Sequence, residues 1–551
     1  MDGHESWIVF FVTIVIGLSA AFFLYSIDRF SLIYYADSVS HLVRAREFVD
    51  SVNPGLFEQL GTAWLPLPHL LLLPFTLVEP LFRTGFAGTA LSLLCLAITS
   101  VFLYEIIKSH LHVGYVAIAG ALLYAANPNI LYIGITPMTE SPFMLFFVGS
   151  AYFFIRWMSG LGKYLSLKSN NRDKNSGMAG PHARRSGPRN YGKISHASLD
   201  LIMCSIFVSL ATLCRYEGWA LPLFFVPFVA ITAIRNKDCY HSRKYKIGII
   251  LVSTLSLSGI ALWLIWNAHA YNDPLEFTNA PYFSAAAQAL EGPNRVFLYL
   301  QPWNVILVYG ITTFAVYGPV LLVAALLGYR VHKYSGRSEE RWRRRNLYLF
   351  LAIPPLFTAA SLLIGIGEMN LSEWFNSRFI ILLAPLIISF ACIIISKLPA
   401  QLKKNRLTFA GIILIFFTYQ IATPALGVVT FLNANDQFSG SRFFQVKMSE
   451  ALSSAYDGKS MILIIAGSSQ QNEIMQASGI PLRQFDLVLE SEFNKDSFKE
   501  PWEYATYIVL AKKPDPSAKN VAYYWLDRLE LLNKHYNTIY EDKYYWVKKL
   551  S

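Results

Sequence analysis

The stretch Ser377-Arg378-Phe379-Ile380-Ile381-Leu382-Leu383-Ala384-Pro385-Leu386-Ile387-Ile388-Ser389-Phe390-Ala391-Cys392-Ile393-Ile394-Ile395-Ser396 decides the fold class. A single charge, Arg378, heads an apolar run long enough to cross a hydrocarbon core of about 30 Å as a helix. Working outward, similar runs recur near residues 7–24, 86–107, 114–128, 139–158, 197–214, 217–234, 247–268, 303–328, 347–365 and 408–430. Together they predict an α-helical polytopic membrane protein with about eleven transmembrane helices. Composition agrees, since the 551 residues are 54% hydrophobic and only 15% charged, against roughly 25% charged in a soluble chain. Disorder, collagen and a cytosolic enzyme are thereby excluded. The five cysteines contain no CxxC pair, so neither a disulfide framework nor a cysteine zinc site is signalled. The opening MDGHES lacks a basic start and a small-residue cleavage site, which makes the first run an expected retained span.

Orientation follows from the basic residues. The loops 161–195, 235–246, 329–346 and 397–406 hold 24 of the 47 Lys and Arg, and the positive-inside rule places them in the cytoplasm. The intervening segments 28–61, 127–140, 269–303 and 365–377 are nearly free of them and face the other side. The net charge of +11 is therefore mainly a topology signal, with no nucleic acid implied. Residues 28–82 form a large first outer loop. Within it, the proline-rich run 64–82 reads as a half-buried helix lining an outer cavity. Residues 159–196, with their Gly, Pro and charges, read as a flexible cytoplasmic linker. Beyond residue 430 the charges become ordinary and short β-type runs alternate with helical patterns. The expected division is a membrane module over 1–430 and an extracytoplasmic α/β domain over 431–551.

Charge at membrane depth is costly, about 2.5 to 3.5 kcal/mol on insertion scales, so acids and arginines at the outer ends of spans mark the chemistry. They are Asp37, Arg44, Glu140, Arg215, Glu217, Glu368, Glu373 and Arg378. Positions 37, 41, 44 and 48 fall on one helix face, aligning Asp37, His41 and Arg44. Asp37 has two readings, a helix cap or a site carboxylate. Glu140 is either an acid favoured at a helix start or a second site carboxylate. Arg215 and Glu217 either neutralise one another or belong to the site. Arg378, placed against the positive-inside trend, either snorkels or holds an anion with its fork. His41 reads equally as a packed histidine.

Taken together, Asp37 to Phe48, Gly61-Thr62-Ala63-Trp64-Leu65-Pro66-Leu67-Pro68-His69, Thr139-Glu140-Ser141, Arg215-Tyr216-Glu217-Gly218-Trp219 and Ser377-Arg378-Phe379 resemble the GT-C membrane glycosyltransferases. The nearest branch is the protein O-mannosyltransferase and lipid A aminoarabinose transferase group, over roughly residues 1–430. The resemblance implies an inverting transfer of a sugar from a polyprenyl- or dolichyl-phosphate carrier to a protein or glycolipid on the outer face of the membrane. It makes Asp37 the base and Glu140 the second catalytic acid. His41, Arg44, His69, Arg215, Glu217, Tyr282 and Arg378 are expected at the substrates. No cofactor is required by the nearest branch, although an Asp with a nearby His and Glu could hold a divalent cation, as in related oligosaccharyltransferases. This sequence departs from the pattern with Ser38 where many relatives carry Glu, and with His41 where an aromatic is common. A transporter or lipid flippase is the competing reading, but the two similar halves it calls for are not seen in the sequence.

Overall fold

The computed structural model describes residues 3–176, 191–235, 243–279, 297–334, 338–366, 374–397, 411, 428–466, 468–487, 496–513 and 519–551. Among these, eight helices are long and apolar enough to cross a membrane: His4–Ile27, Phe86–Leu111, Glu140–Leu161, Tyr216–Arg235, Ile247–Tyr271, Pro302–Lys333, Glu340–Leu363 and Asn376–Lys397. Shorter apolar helices cover Gly114–Ala125 and Ala197–Thr212. The protein is thus an integral multi-pass membrane protein. The expected span 408–430 lies almost wholly outside the described residues; of the linker expected over 159–196, residues 177–190 lie outside them and the described ends belong to the helices Glu140–Ser176 and Tyr191–Thr212.

The first helix, α1 (Gly3–Ile27), leads through a short 3-10 turn into α2 (Ala36–Glu47), which carries Asp37 and His41. The helix Leu67–Thr76 follows, opened by prolines where a missing N–H costs nothing. Its ten residues span only about 15 Å, half a bilayer core. Pro68, His69, Leu72 and Thr76 are its buried face.

Two local devices shape the end of the bundle that holds these elements. Pro319, with Gly318 at φ 69°, breaks the long helix Pro302–Tyr334. Helical bonding is lost there, and the side chains of Asn127 and Asn129 donate to the Val316 carbonyl at 3.0 and 3.4 Å. Asn127 also caps the short helix Pro128–Ile133 by accepting from the backbone N–H of Asn129 and Ile130. Tyr317 donates to the Ile380 carbonyl at 2.8 Å, tying the kink to the segment that bears Arg378.

The C-terminal residues build a five-stranded sheet in the order β2-β1-β3-β5-β4. Its strands are β1 (Ile462–Ile465), β2 (Phe485–Leu487), β3 (Tyr507–Ala511), β4 (Tyr536–Glu541) and β5 (Tyr545–Leu550). β1 pairs in parallel with β2 and β3, and β5 runs antiparallel to both β3 and β4. One face of the sheet shares a hydrophobic core with the loop elements: Val39, Leu42, Val43, Leu72 and Phe82 pack with Met448, Ile462, Ile474 and Tyr507. Polar contacts add to it. Arg442 and Glu473 form a buried pair at 2.8 Å, Asn472 donates to the Ser40 hydroxyl at 3.1 Å, and Arg83 donates to the carbonyls of Met475 and Ile480. The helix Ser468–Ser478 thus places Asn472 against α2 and Glu473 against Arg442.

Candidate active site

Asp37 lies in the first turn of α2. The N-cap is the extended residue Tyr35, and no side chain makes a capping bond there, so the capping reading of Asp37 does not hold. Its carboxylate instead accepts from Arg378 Nη2 at 2.6 Å. The side chain is 39% exposed while Arg378 is only 12% exposed, so the carboxylate stands at the rim of a buried cation. Burial opposes the Asp37 charge, but the Arg378 guanidinium outweighs it and holds the carboxyl below its ordinary range. Arg378 arrives from a 3-10 stretch, Trp374–Leu383, that precedes the helix Ala384–Lys397.

Glu140 begins the helix Glu140–Ser176 and is 1% exposed. Its Oε1 lies 3.1 Å from Arg215 Nη1 and 3.6 Å from Arg378 Nε. Arg215 also grips Glu217 through two bonds, of 2.9 and 3.3 Å, and donates to Thr139 Oγ1 at 2.9 Å. Arg215 and Glu217 are therefore both a neutralising pair and part of the cluster. Asp37, Arg378, Glu140, Arg215 and Glu217 form one chain of alternating charge. Phe379 lies under both guanidiniums, 5.1 Å from Arg215 and 5.2 Å from Arg378, and the Tyr35 ring faces Arg378 at 5.3 Å. Tyr35 is anchored in turn by donating to the Thr430 carbonyl at 2.7 Å. Among the described residues, Glu140 Oε2 and Arg378 Nη1 have no hydrogen-bond partner. Leaving a buried donor or acceptor unmatched costs about 1 to 3 kcal/mol.

The turn Arg215–Trp219 fits only because residue 218 has no side chain. A Cβ on Gly218 would stand 2.5 Å from the Ala211 carbonyl oxygen and 3.0 Å from the Thr212 nitrogen, both fixed backbone atoms. Gly218→Ala is expected to cost about 1 to 3 kcal/mol, read as a lowered melting temperature in detergent. A melting curve superposable on wild type would show that this turn yields freely and does not brace Arg215.

His41 and His69 lie beside the cluster, with His41 Nδ1 2.9 Å from His69 Nε2. Both are buried, and burial pushes both imidazoles below their ordinary range, His41 to about 4. Arg44 is not brought into the site: it pairs with Glu47 at 3.1 Å and is 35% exposed. Tyr282, Glu368 and Glu373 lie outside the described residues. Among the described residues no group of three or more His, Cys, Asp or Glu is placed to hold a metal ion, so the Asp–His–Glu set considered from sequence is not assembled there. Tyr35, Trp64 and Phe379 were not singled out individually from sequence, since a lone aromatic has no signature of its own.

Neither a family model nor a curated protein sequence matches the chain. Solved structures do. ArnT from Cupriavidus metallidurans bound to undecaprenyl phosphate is similar at a TM-score of 0.52 and 11% identity, with 97% of each chain covered. The apo state of ArnT gives 0.52 and 12%, again with 97% of each chain. The Archaeoglobus fulgidus oligosaccharyltransferase AglB, in complex with an inhibitory peptide and a dolichol-phosphate, is more distant at 0.44 and 12%, covering 98% of this chain and 73% of its own. The likeness to ArnT extends beyond the first 430 residues and takes in the C-terminal sheet. The chain has the fold of the solved ArnT structures.

Proposed function

We propose that the protein is an inverting glycosyltransferase that moves a sugar from a polyprenyl- or dolichyl-phosphate carrier to a protein or glycolipid, on the extracytoplasmic side of the membrane. The observation that supports this most is the Asp37–Arg378 contact, a rim carboxylate held by a buried guanidinium that still has an unmatched nitrogen. The lipid phosphate of the donor competes with Asp37 for Arg378, and its capture frees the carboxylate. Asp37 then accepts the proton of the acceptor hydroxyl while that oxygen attacks the sugar C1 in line with the departing phosphate. Arg378, supported by Arg215 through Glu140, stabilises the charge that grows on the leaving phosphate. Glu140 keeps both guanidiniums aimed at one place.

In this reading residues 1–430 are the membrane module and 431–551 an extracytoplasmic domain. The side follows from the basic loops, which all lie in the other set of connections. ArnT was solved with undecaprenyl phosphate, which is the kind of carrier proposed for this chain. The test is transfer by the purified protein in detergent from a labelled polyprenyl-phosphate sugar, with mass spectrometry of glycans and glycolipids from cells with and without the gene. Labelled product together with a gene-dependent glycan is expected. Identical glycan profiles and no turnover with any lipid-phosphate sugar would remove the assignment.

A further inference from the structure

The segment that precedes the helix Leu67–Thr76 is unusually well held for a loop. Trp266 donates to the Gly61 carbonyl at 2.8 Å, Tyr216 donates to the Ala63 carbonyl at 3.0 Å, and the Leu67 N–H donates to the Leu213 carbonyl at 3.1 Å. Leu65 is buried against Trp263 and Phe277. Between these anchors Trp64 remains 36% exposed. Its backbone neighbours are pinned to the same turn that carries Arg215 and Glu217, so the indole has little freedom to turn inward. Its inner side packs against two imidazoles, with ring centres 4.6 Å from His41 and 5.8 Å from His69.

The histidine pair has a defined direction. The Leu65 backbone, four residues back, also interacts with the His69 ring. Because His69 Nε2 faces His41, the nitrogen available to Leu65 is Nδ1, and a proton there leaves His69 Nε2 as an acceptor. His41 Nδ1 must then donate, and His41 Nε2 carries the free lone pair. Among the described residues that nitrogen has no hydrogen-bond partner, although His41 is only 5% exposed. Burial keeps the ring neutral at physiological pH. His41 stands one helical turn, about 6 Å, from Asp37.

A rigid aromatic face next to a neutral, directed acceptor suits one chemical class. A sugar ring offers an apolar C–H face and outward hydroxyl donors, whereas a phosphate offers only acceptors that this lone pair would repel. We propose that Trp64 and His41 form the subsite for a sugar ring, with the C–H face on the indole and a ring hydroxyl donating to His41 Nε2. His69 is a positioning residue that holds the His41 tautomer. The inference rests on the glycosyltransferase reading and adds to it the place where the sugar is recognised.

The test compares binding of undecaprenyl phosphate with binding of its hexose and pentose esters, by equilibrium titration of the full-length protein in detergent. Wild type is expected to bind a sugar ester at least about tenfold more tightly than the bare lipid phosphate, a preference equivalent to about 1.4 kcal/mol. Trp64→Leu and His41→Ala should abolish the preference and leave affinity for bare undecaprenyl phosphate within about twofold, which a general loss of structure would not do. Trp64→Phe should keep part of it. His69→Gln, whose amide oxygen can accept from His41, should retain it, and His69→Leu should lose it. If the donor preference survives in the variants while the KM for a sugar-bearing acceptor rises about tenfold, the ring held there is the acceptor's, which also supports the subsite. Unchanged preference and unchanged acceptor KM in both Trp64→Leu and His41→Ala overturn it. Failure of wild type to bind any lipid phosphate overturns instead the donor reading on which it rests.

Discussion

Asp37→Asn is expected to lower sugar transfer by about 10²- to 10⁴-fold, the usual range for removing a general base, without weakening the binding of bare polyprenyl phosphate. The amide is nearly isosteric, so the fold of α2 is kept. It no longer competes as an anion for Arg378, so donor affinity should hold or rise slightly. Asp37→Ala would confuse this result by opening space at the rim. The pH dependence has a definite sign: the base must be ionised, and Arg378 holds the Asp37 carboxyl below its ordinary range. In the free enzyme the acid limb that belongs to Asp37 therefore lies below the ordinary carboxylate range, and kcat/KM should not decline between pH 7 and pH 5 on its account. Single-turnover transfer rates in detergent check the first statement, and the pH profile of kcat/KM checks the second. Turnover of the asparagine variant within a few-fold of wild type would transfer the role of base to another group.

Arg378→Ala should have the second large effect, this time on the donor. Charge-assisted hydrogen bonds are worth about 1.5 to 3 kcal/mol each, so losing two to the lipid phosphate implies binding weaker by about 10²- to 10⁴-fold at about 1.4 kcal/mol per tenfold. Structure is affected too, although Glu140 keeps its contact with Arg215 at 3.1 Å and Asp37 can reach water. The loss of stability should accordingly sit at or below the low end of the roughly 3 to 5 kcal/mol seen when one partner of a buried pair is removed. Arg378→Lys keeps the charge but cannot face Asp37 and Glu140 at once, and an intermediate affinity is expected. Equal affinity of wild type and Arg378→Ala for undecaprenyl phosphate, measured by titration, would place the donor elsewhere.

Much of the candidate site was legible residue by residue. A charge at the end of an apolar run stands out because the membrane makes it costly, which is why Asp37, Glu140, Arg215, Glu217 and Arg378 could all be picked out. Their pairing could not be read. Asp37 looked equally like a helix cap until the structure put Tyr35 at the cap and Arg378 on the carboxylate. Arg44 looked like a site residue because it shares a helix face with Asp37, but Glu47, three residues on, claims it. Trp64 stood in the sequence only as one member of the motif Gly61–His69, since its exposure depends on anchors contributed by residues 213, 216 and 266.

What the sequence by itself determined is that the chain is a polytopic helical membrane protein, the rough position of the eight long apolar helices among the described residues, and which loops carry the positive charge. Hydrophobic length and local charge are properties of contiguous residues, and a bilayer reads them locally. Only the tertiary structure decided that Asp37 meets Arg378 across 341 positions of chain, that Glu140 bridges two arginines, and that the C-terminal sheet packs its core against α2. Those are contacts between surfaces that acquire their shape only once the helices have packed, so no periodicity or composition along the chain encodes them in a form that can be read directly.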